Sequence, residues 1–263
     1  MSRIIRGILN QRKLARWNDT PNDLVILHCF GRDKTLPSGS PYVMKVHTYL
    51  RMTQIPYKID GKDPFGPKGK APWISLNGEH VADSEFIIAY LNRKCNKDLN
   101  KEHSVDQLAL GTAVRVMLED QFSWGMALER FVFNPQEFRK VFGKNLLYDT
   151  IILTFGGSVA YKRAVAQGIG AHSREEIEGI VSKNLRAVSS LLGDKKYILG
   201  DMPCQDDCAI FGQLGQAVWG LPNSNYEKLV HSELTNLRDY CFRIKDLYYA
   251  DWDQLISRKR KSA

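Results

Sequence analysis

A change of periodicity near residue 100 constrains this 263-residue chain more than any other feature. Before it, short apolar runs of strand length alternate with amphipathic helical patterns; after it, strand signals stop and long helical periodicity takes over. Leu24 to Phe30 has the length and composition of a buried strand, and Gly31 to Gly39 is a loop by composition. Ser40-Pro41 has the form of an N-cap with proline at the first helical position, opening a helix through Val43, Val46, His47 and Leu50. Ile55 to Ile59 is a second short strand, and Asp60 to Lys70, rich in Gly, Pro and Lys, is a loop or short helix. Trp73 to Leu76 and Glu79 to Ala82 flank Asn77-Gly78, a strong hairpin signal. Asp83-Ser84 then begins a helix with Phe86, Ile87, Tyr90 and Leu91 on one face.

Beyond Asn100, helical periodicity is broken at Asn134-Pro135, Gly143, Gly168-Ile169-Gly170, Gly193-Asp194, Gly200 to Pro203 and Gly220 to Pro222. Helices are expected over 104–132, 144–167, 173–192, 207–219, 226–242 and 245–257. The chain therefore divides into a basic N-terminal arm (1–20), an α/β domain (21–95), an all-helical domain (104–257) and a basic tail (258–263). The glycines at 156–157 and 168–170 follow no strand and are not phosphate loops.

The formal charge of +8 would ordinarily raise nucleic acid as a partner. It resides in the ends. Residues 1–20 carry five basic residues against Asp19, and Arg258 to Lys261 add four, which leaves 21–257 with 28 residues of each sign. A formally neutral body argues against a nucleic-acid-binding domain and leaves the basic ends as candidates for peripheral contact with an anionic membrane. The first twenty residues, with Ile4, Ile5, Ile8 and Leu9 beside arginines, suit a transit peptide, a membrane-surface helix or a frayed basic arm. No run approaches the roughly 18 apolar residues of a membrane span. Five cysteines, odd in number and without C-x2-C spacing, fit a reducing compartment better than disulfides or zinc, so a cytoplasmic location and no metal are expected. His28 and Cys29 lie in the first strand, where burial is the expected role, and Phe122, Trp124, Met126 and Phe131 have the spacing of a core stripe or an acceptor pocket.

Three local elements carry a family resemblance. Ser40-Pro41-Tyr42 stands where glutaredoxins and thiol-type transferases carry Cys-Pro-Tyr or Cys-Pro-Phe; Lys70-Ala71-Pro72-Trp73-Ile74 resembles a segment ending in a cis-proline; and Asp83-Ser84 resembles the Glu-Ser or Asp-Ser pair of the same fold. Together they resemble the glutathione transferases, which implies a thioredoxin-like α/β N-terminal domain followed by an all-α C-terminal domain. Asp207, three residues after Cys204, matches that fold's internal capping box with a thiol in place of the usual hydroxyl. Leu36 to Tyr42, Gly69 to Ile74, Asp83 to Ile88 and Gly168 to Ile177 are similar, more closely, to the failed axon connections family, whose relatives include nematode cadmium-responsive proteins and the metaxins. The resemblance runs from about Leu24 to Pro222.

The resemblance implies glutathione as co-substrate, bound by Tyr42, Lys70, Ala71, Pro72, Asp83 and Ser84. The residue before the cis-proline pairs its backbone with the cysteinyl part, and Asp83-Ser84 at a helix start holds the γ-glutamyl end. A hydroxyl with exposed amides suits a carboxylate, and a neighbouring acid suits an ammonium. Conjugation needs the glutathione thiolate, so a thiol pKa of about 8.5 must be lowered by a hydrogen bond and a helix N-terminus. Ser40 and Ser38 are the candidate donors, and the acceptor would be a hydrophobic electrophile. The alternative is a non-catalytic scaffold or interaction protein acting in axon development or at membranes, including the mitochondrial outer membrane. Dimers are common in the fold, and a homodimer is allowed here.

Overall fold

The computed structural model describes residues 14–142 and 146–256; for 146–155 only the backbone is described. The chain forms two compact units. One gathers the described residues up to Gly31 together with Tyr42–Asp98; the other gathers Arg32–Pro41 with the described residues from Leu99 onward.

The first unit is a four-stranded sheet with its helices. Strands β1 (Val25–His28), β2 (Tyr57–Asp60), β3 (Trp73–Leu76) and β4 (Glu79–Ala82) lie in the order β2-β1-β3-β4. β1 runs parallel to β2 and antiparallel to β3, and β3 pairs antiparallel with β4. The central strands β1 and β3 are buried at every position, the polar His28 and Ser75 included, whereas the edge strands β2 and β4 expose polar residues. The β3–β4 turn uses Asn77 and Gly78, both at positive φ (49° and 78°), as the Asn-Gly pair requires. Helix α1 (Pro41–Met52) connects β1 to β2, and α2 (Ser84–Cys95) follows β4 and ends on Asn96 in the left-handed conformation.

Part of the expected N-terminal arm is built into this unit. Trp17 packs edge-on against the His28 ring, with centroids 4.5 Å apart, and donates its indole N–H to Asp63. Arg16 pairs with the same carboxylate at 3.1 Å, and His80 Nε2 lies 3.0 Å from Asn18 Oδ1. Residues 1–13 and the basic tail lie outside the described residues.

In the helical unit, the helix expected over 104–132 has that extent but is not uniform. α3 (Val105–Met117), opened by a Ser104/Gln107 capping box, passes through a π-helical turn (Leu118–Phe122), α4 (Ser123–Leu128) and a second π turn (Glu129–Phe133). Pro135 stops it and begins α5 (Pro135–Phe142), a short helix the breaks in the sequence had hidden. α6 (Leu146–Gln167) and α7 (Arg174–Leu192) follow, the latter opened by Ser173 and Glu176 in a reciprocal box with bonds of 3.2 and 2.8 Å. α8 (Gln205–Trp219) is the core helix, buried from Asp206 to Val218. At its start Asp207 accepts from the amides of Cys204 (2.8 Å) and Ile198 (3.0 Å) and from the Tyr240 hydroxyl (2.8 Å), so the capping box closes with a thiol residue at the cap.

The last two expected helices are redistributed. Residues 226–242 do not form one helix: α9 (Asn225–Ser232) ends, and Leu234 (φ −102°, ψ 52°) turns its side chain into the core before α10 (Thr235–Tyr248) begins. α10 runs through the break expected near 243–244 and stops at Tyr249, whose ring packs against Phe211 and Trp252 ahead of α11 (Trp252–Leu255). In both places burial of one large side chain overrides local helical periodicity.

Candidate functional site

Sheet register and one ion pair assemble the site end of the first unit. Trp73 pairs with Ala82 across β3 and β4, and with His28 across β1. The residues just before Trp73, Ala71-Pro72, and those just after Ala82, Asp83-Ser84, therefore leave the sheet side by side at the end where β1 also terminates. The Ala71–Pro72 peptide bond is cis. Lys45, one turn into α1 from Tyr42, is buried and ion-pairs with Glu85 in the first turn of α2. That contact brings the N-terminal turns of both twelve-residue helices to the same end of the sheet.

The local chemistry at α2 is specific. Asp83 caps the helix, its Oδ1 accepting from the Glu85 amide at 3.1 Å, and holds a positive φ of 88°. A non-glycine residue in that region is strained, and such strain concentrates at functional positions. Ser84 is only 6% exposed. Among the described residues, no hydrogen bond engages its hydroxyl or the backbone of Ala71. An unengaged buried hydroxyl and an unengaged backbone at adjacent chain exits, next to two helix N-termini, are suited to an extended peptide-like anion. Lys70 is exposed beside them, and Tyr42 is half-buried in the first turn of α1.

The two serines proposed for thiol activation fall in the other unit, on the segment 32–41. Ser38 is 2% exposed and its Oγ accepts from the Ser40 amide at 3.2 Å; Ser40 is half-buried. This segment is pinned by the helical unit along its length. The Lys34 ammonium reaches the Lys140 carbonyl (2.8 Å), the Thr35 hydroxyl reaches the Trp219 carbonyl (2.7 Å), and Arg130 reaches the Gly39 carbonyl (2.8 Å). Arg130, Gln216, Lys45 and Glu85 were not among the residues singled out from the sequence. The available signal was a charged or amide residue on an otherwise apolar helical face, which periodicity alone treats as noise.

His28 is buried, as its strand position implies, and joins a polar chain beneath the sheet. Its Nδ1 meets Asp60 and its Nε2 meets the Ser75 hydroxyl, both at 2.9 Å, and Ser75 in turn meets His80 Nδ1 at 2.9 Å. The ring stacks on Trp73 at 3.6 Å. Burial lowers the His28 pKa despite the Asp60 partner that opposes the shift, and burial likewise lowers His80. Asp60, Ser75 and His28 resemble a hydrolytic triad in composition only, because His28 and Ser75 are fully buried and no substrate can reach them. Cys204, Cys208 and Cys241 are buried, and desolvation raises the Cys204 and Cys241 thiols far above the usual range, which makes them poor nucleophiles. Among the described residues no cluster of His, Cys, Asp and Glu has the makings of a metal site.

This combination of a β-α-β-β-β-α unit, a cis-proline ahead of β3 and a helical second half defines a glutathione S-transferase-like protein. A profile of the glutathione S-transferase N-terminal domain matches residues 41–137, and one of the C-terminal domain matches 181–244. Failed axon connections of Drosophila melanogaster is 32% identical over 254 residues, which cover 90% of this chain and 60% of that protein. The two profiles together span more than half of the chain, which belongs to the glutathione S-transferase-like proteins and is similar to failed axon connections over part of that protein's length. It is also similar to the isoprene-epoxide–glutathione S-transferase of Rhodococcus (27% identity, 81% of this chain, 94% of the relative). A metaxin-2 homologue of Caenorhabditis elegans matches at 22% identity over 81% of this chain and 94% of its own. A glutathione S-transferase from Methylobacterium radiotolerans, solved with glutathione sulfonate, shares the fold with a TM-score of 0.59 at 17% identity, covering 91% of this chain and 98% of that one.

Proposed function

We propose that the chain binds glutathione at the sheet end formed by Tyr42, Lys70, Ala71, Pro72, Asp83 and Ser84, and adds its thiolate to a hydrophobic electrophile. The observation that carries this reading is the pairing of two unengaged groups, the Ala71 backbone and the Ser84 hydroxyl, at neighbouring chain exits. The Ala71 backbone takes the cysteinyl amide, Ser84 and the first amides of α2 take the γ-glutamyl carboxylate, and Asp83 takes the ammonium. Lys70 offers its charge to the second carboxylate. Ser40, or Ser38 after a change in its present contacts, donates to the sulfur, and the N-terminus of α1 favours the thiolate.

The name of the Rhodococcus relative supports an epoxide as the acceptor class. In that reaction the sulfur–carbon bond forms as the carbon–oxygen bond of the strained ring breaks. The alkoxide oxygen then takes a proton from water. Calorimetry at several millimolar glutathione tests the binding step, with an expected dissociation constant in the micromolar to millimolar range. A clean absence of heat at that concentration removes the reading.

A second reading is favoured by one observation. Ser38 is buried with its Oγ already accepting the Ser40 amide, as in a loop kept for structure. On that reading the chain is a non-catalytic scaffold or interaction protein in axon development or at a membrane surface, such as the mitochondrial outer membrane. The name of the failed axon connections relative supports the axonal part of it. Its basic ends then supply contact with anionic lipid, and a cytoplasmic pool serves either reading. No described helix is long and apolar enough to cross a membrane. Turnover of an epoxide that is lost in Ser84→Ala and in a folded Ser38→Ala/Ser40→Ala double variant excludes the scaffold as the whole account.

A further inference from the structure

Arg130 is one of the buried charges of the helical unit. It is 5% exposed, on the second π turn, and burial lowers its pKa to about 9, with the nearby Asp33 opposing that shift. No carboxylate is recorded within ion-pairing distance of its guanidinium among the described residues. A buried cation without a direct counter-ion is destabilising unless its donors are spent on well-placed acceptors; the Nη1 and Nη2 donors of Arg130 are so spent, and its Nε meets none among the described residues. Those acceptors lie where the serine-bearing segment meets the helices. Nη1 donates to the Gly39 carbonyl at 2.8 Å, and Nη2 donates to Gln216 Oε1 at 2.6 Å and to the Gly220 carbonyl at 3.3 Å. The plane also rests on aromatic rings, with Phe142 at 4.8 Å and Phe138 at 5.6 Å from its carbon.

Gln216 extends the grip by one residue. With its Oε1 held by Arg130, its Nε2 faces the Ser38 carbonyl at 3.3 Å, while also donating to the Gly212 carbonyl. The Gly39 amide is taken by Asp33, and the Ser40 amide by the Ser38 hydroxyl. Two consecutive carbonyls and two consecutive amides of Ser38-Gly39-Ser40 are therefore fixed. A side chain at Gly39 would collide with the Phe142 ring that carries the guanidinium. Arg130 reaches the Gly39 carbonyl directly and the Ser38 carbonyl through Gln216, so the pair holds the two residues that precede a catalytic candidate. An apolar side chain of similar volume would fill the site at lower desolvation cost.

We propose that Arg130, acting with Gln216, is the positioning residue for the Ser38–Ser40 backbone and sets the orientation of the Ser40 hydroxyl. The inference rests on the reading of Ser40 as the thiol-activating residue. Lys at position 130 keeps the charge but cannot span Gly39, Gln216 and Gly220 at once. Gln216→Glu keeps an acceptor for Arg130 and deletes the donor to Ser38.

The test uses the full chain with Arg130→Lys and Gln216→Glu, reading amide hydrogen exchange together with glutathione conjugation to an epoxide. Exchange at Ser38, Gly39, Ser40 and Tyr42 is expected to quicken about tenfold while the rest of the helical unit holds. Glutathione affinity should stay within about twofold, kcat should fall about tenfold, and the pH profile of kcat should move upward as the sulfur loses its donor. Faster exchange spread evenly over the helical unit, unchanged exchange at Ser38–Ser40, or a raised KM with unaltered kcat would overturn the proposal. Absence of glutathione binding in the unaltered chain overturns the proposed function instead. The exchange pattern then decides by itself whether Arg130 clamps the segment.

Discussion

Lys45 in α1 and Glu85 in α2 form an ion pair whose two ends differ sharply in exposure, 1% for the lysine side chain and 37% for the glutamate. The lysine is the costly member, because its ammonium leaves water almost completely. The pair couples the first turns of both helices at the sheet end that carries Ala71 and Ser84. Breaking a buried pair costs about 3–5 kcal/mol, and solvent screening of the exposed glutamate reduces that to an expected 1–2 kcal/mol for Glu85→Gln. Urea unfolding measures it. A midpoint unchanged from the parent would show that the pair does not organise this end of the unit.

Ser84→Ala removes a hydroxyl that no group in the described structure engages, so it should leave stability within about 0.5 kcal/mol and weaken glutathione binding about tenfold. The two measurements together are diagnostic. A hydroxyl needed only as a helix cap would give the reverse pattern, lower stability at equal affinity, when thermal unfolding is set beside calorimetry.

The first unit was legible because its sequence signals agree with one another. Asn77-Gly78 fixed the β3–β4 hairpin, the apolar segment from Leu24 to Phe30 marked β1 as a buried strand, and Ser40-Pro41 marked the start of α1. The helical half was legible in extent but not in detail. Leu234 and Tyr249 stand where helices end with their side chains buried, and the two π turns within 118–133 have no local signature. At the candidate site, the cis bond before Pro72 and the helix start at Asp83-Ser84 could be read from local pattern. Lys45–Glu85 and Arg130–Gln216 could not, since each pair joins residues 40 or 86 positions apart and only the fold makes them neighbours.

Acid should loosen the sheet unit through His28. Burial lowers its folded pKa below the unfolded value of about 6.5, so its contribution is complete above that pH and is lost as pH falls through the lower folded value. Stability should therefore drop below about pH 6.5 by up to about 1.4 kcal/mol per pH unit for this imidazole, with His80 acting in the same direction. Asp60, held below the usual carboxylate range by its hydrogen bonds to His28 and two backbone amides despite its own partial burial, loses its contribution only at more acidic pH. His28→Gln should flatten the slope between pH 6.5 and 5. A slope equal to the parent's would assign it to other groups.

Gly39→Ala places a methyl group against the Phe142 ring and 3.1 Å from Asp33 Oδ2. Overpacking of this kind costs about 1–3 kcal/mol and forces either the ring or the segment to move. Conjugation should fall more than glutathione affinity does, because the altered backbone carries Ser40 and not the residues proposed to bind glutathione. Equal losses in both would place the disturbance in those proposed residues as well.

The position of Arg16 and Trp17 decides how the basic ends should be tested. Both side chains engage Asp63, Trp17 covers His28, and Asn18 faces His80, so removing residues 1–20 would strip part of the sheet unit along with the charge. The informative truncation removes 1–13 and 258–263, which together carry four basic residues in the first segment and four in the second. Each basic residue near an anionic surface contributes up to about 1 kcal/mol and does so through a salt-screened field. The truncated chain should unfold at the parent's temperature, bind glutathione as the parent does, and lose any binding to phosphatidylserine vesicles that falls with added salt. Vesicle binding that survives the truncation would locate the membrane contact on the neutral body.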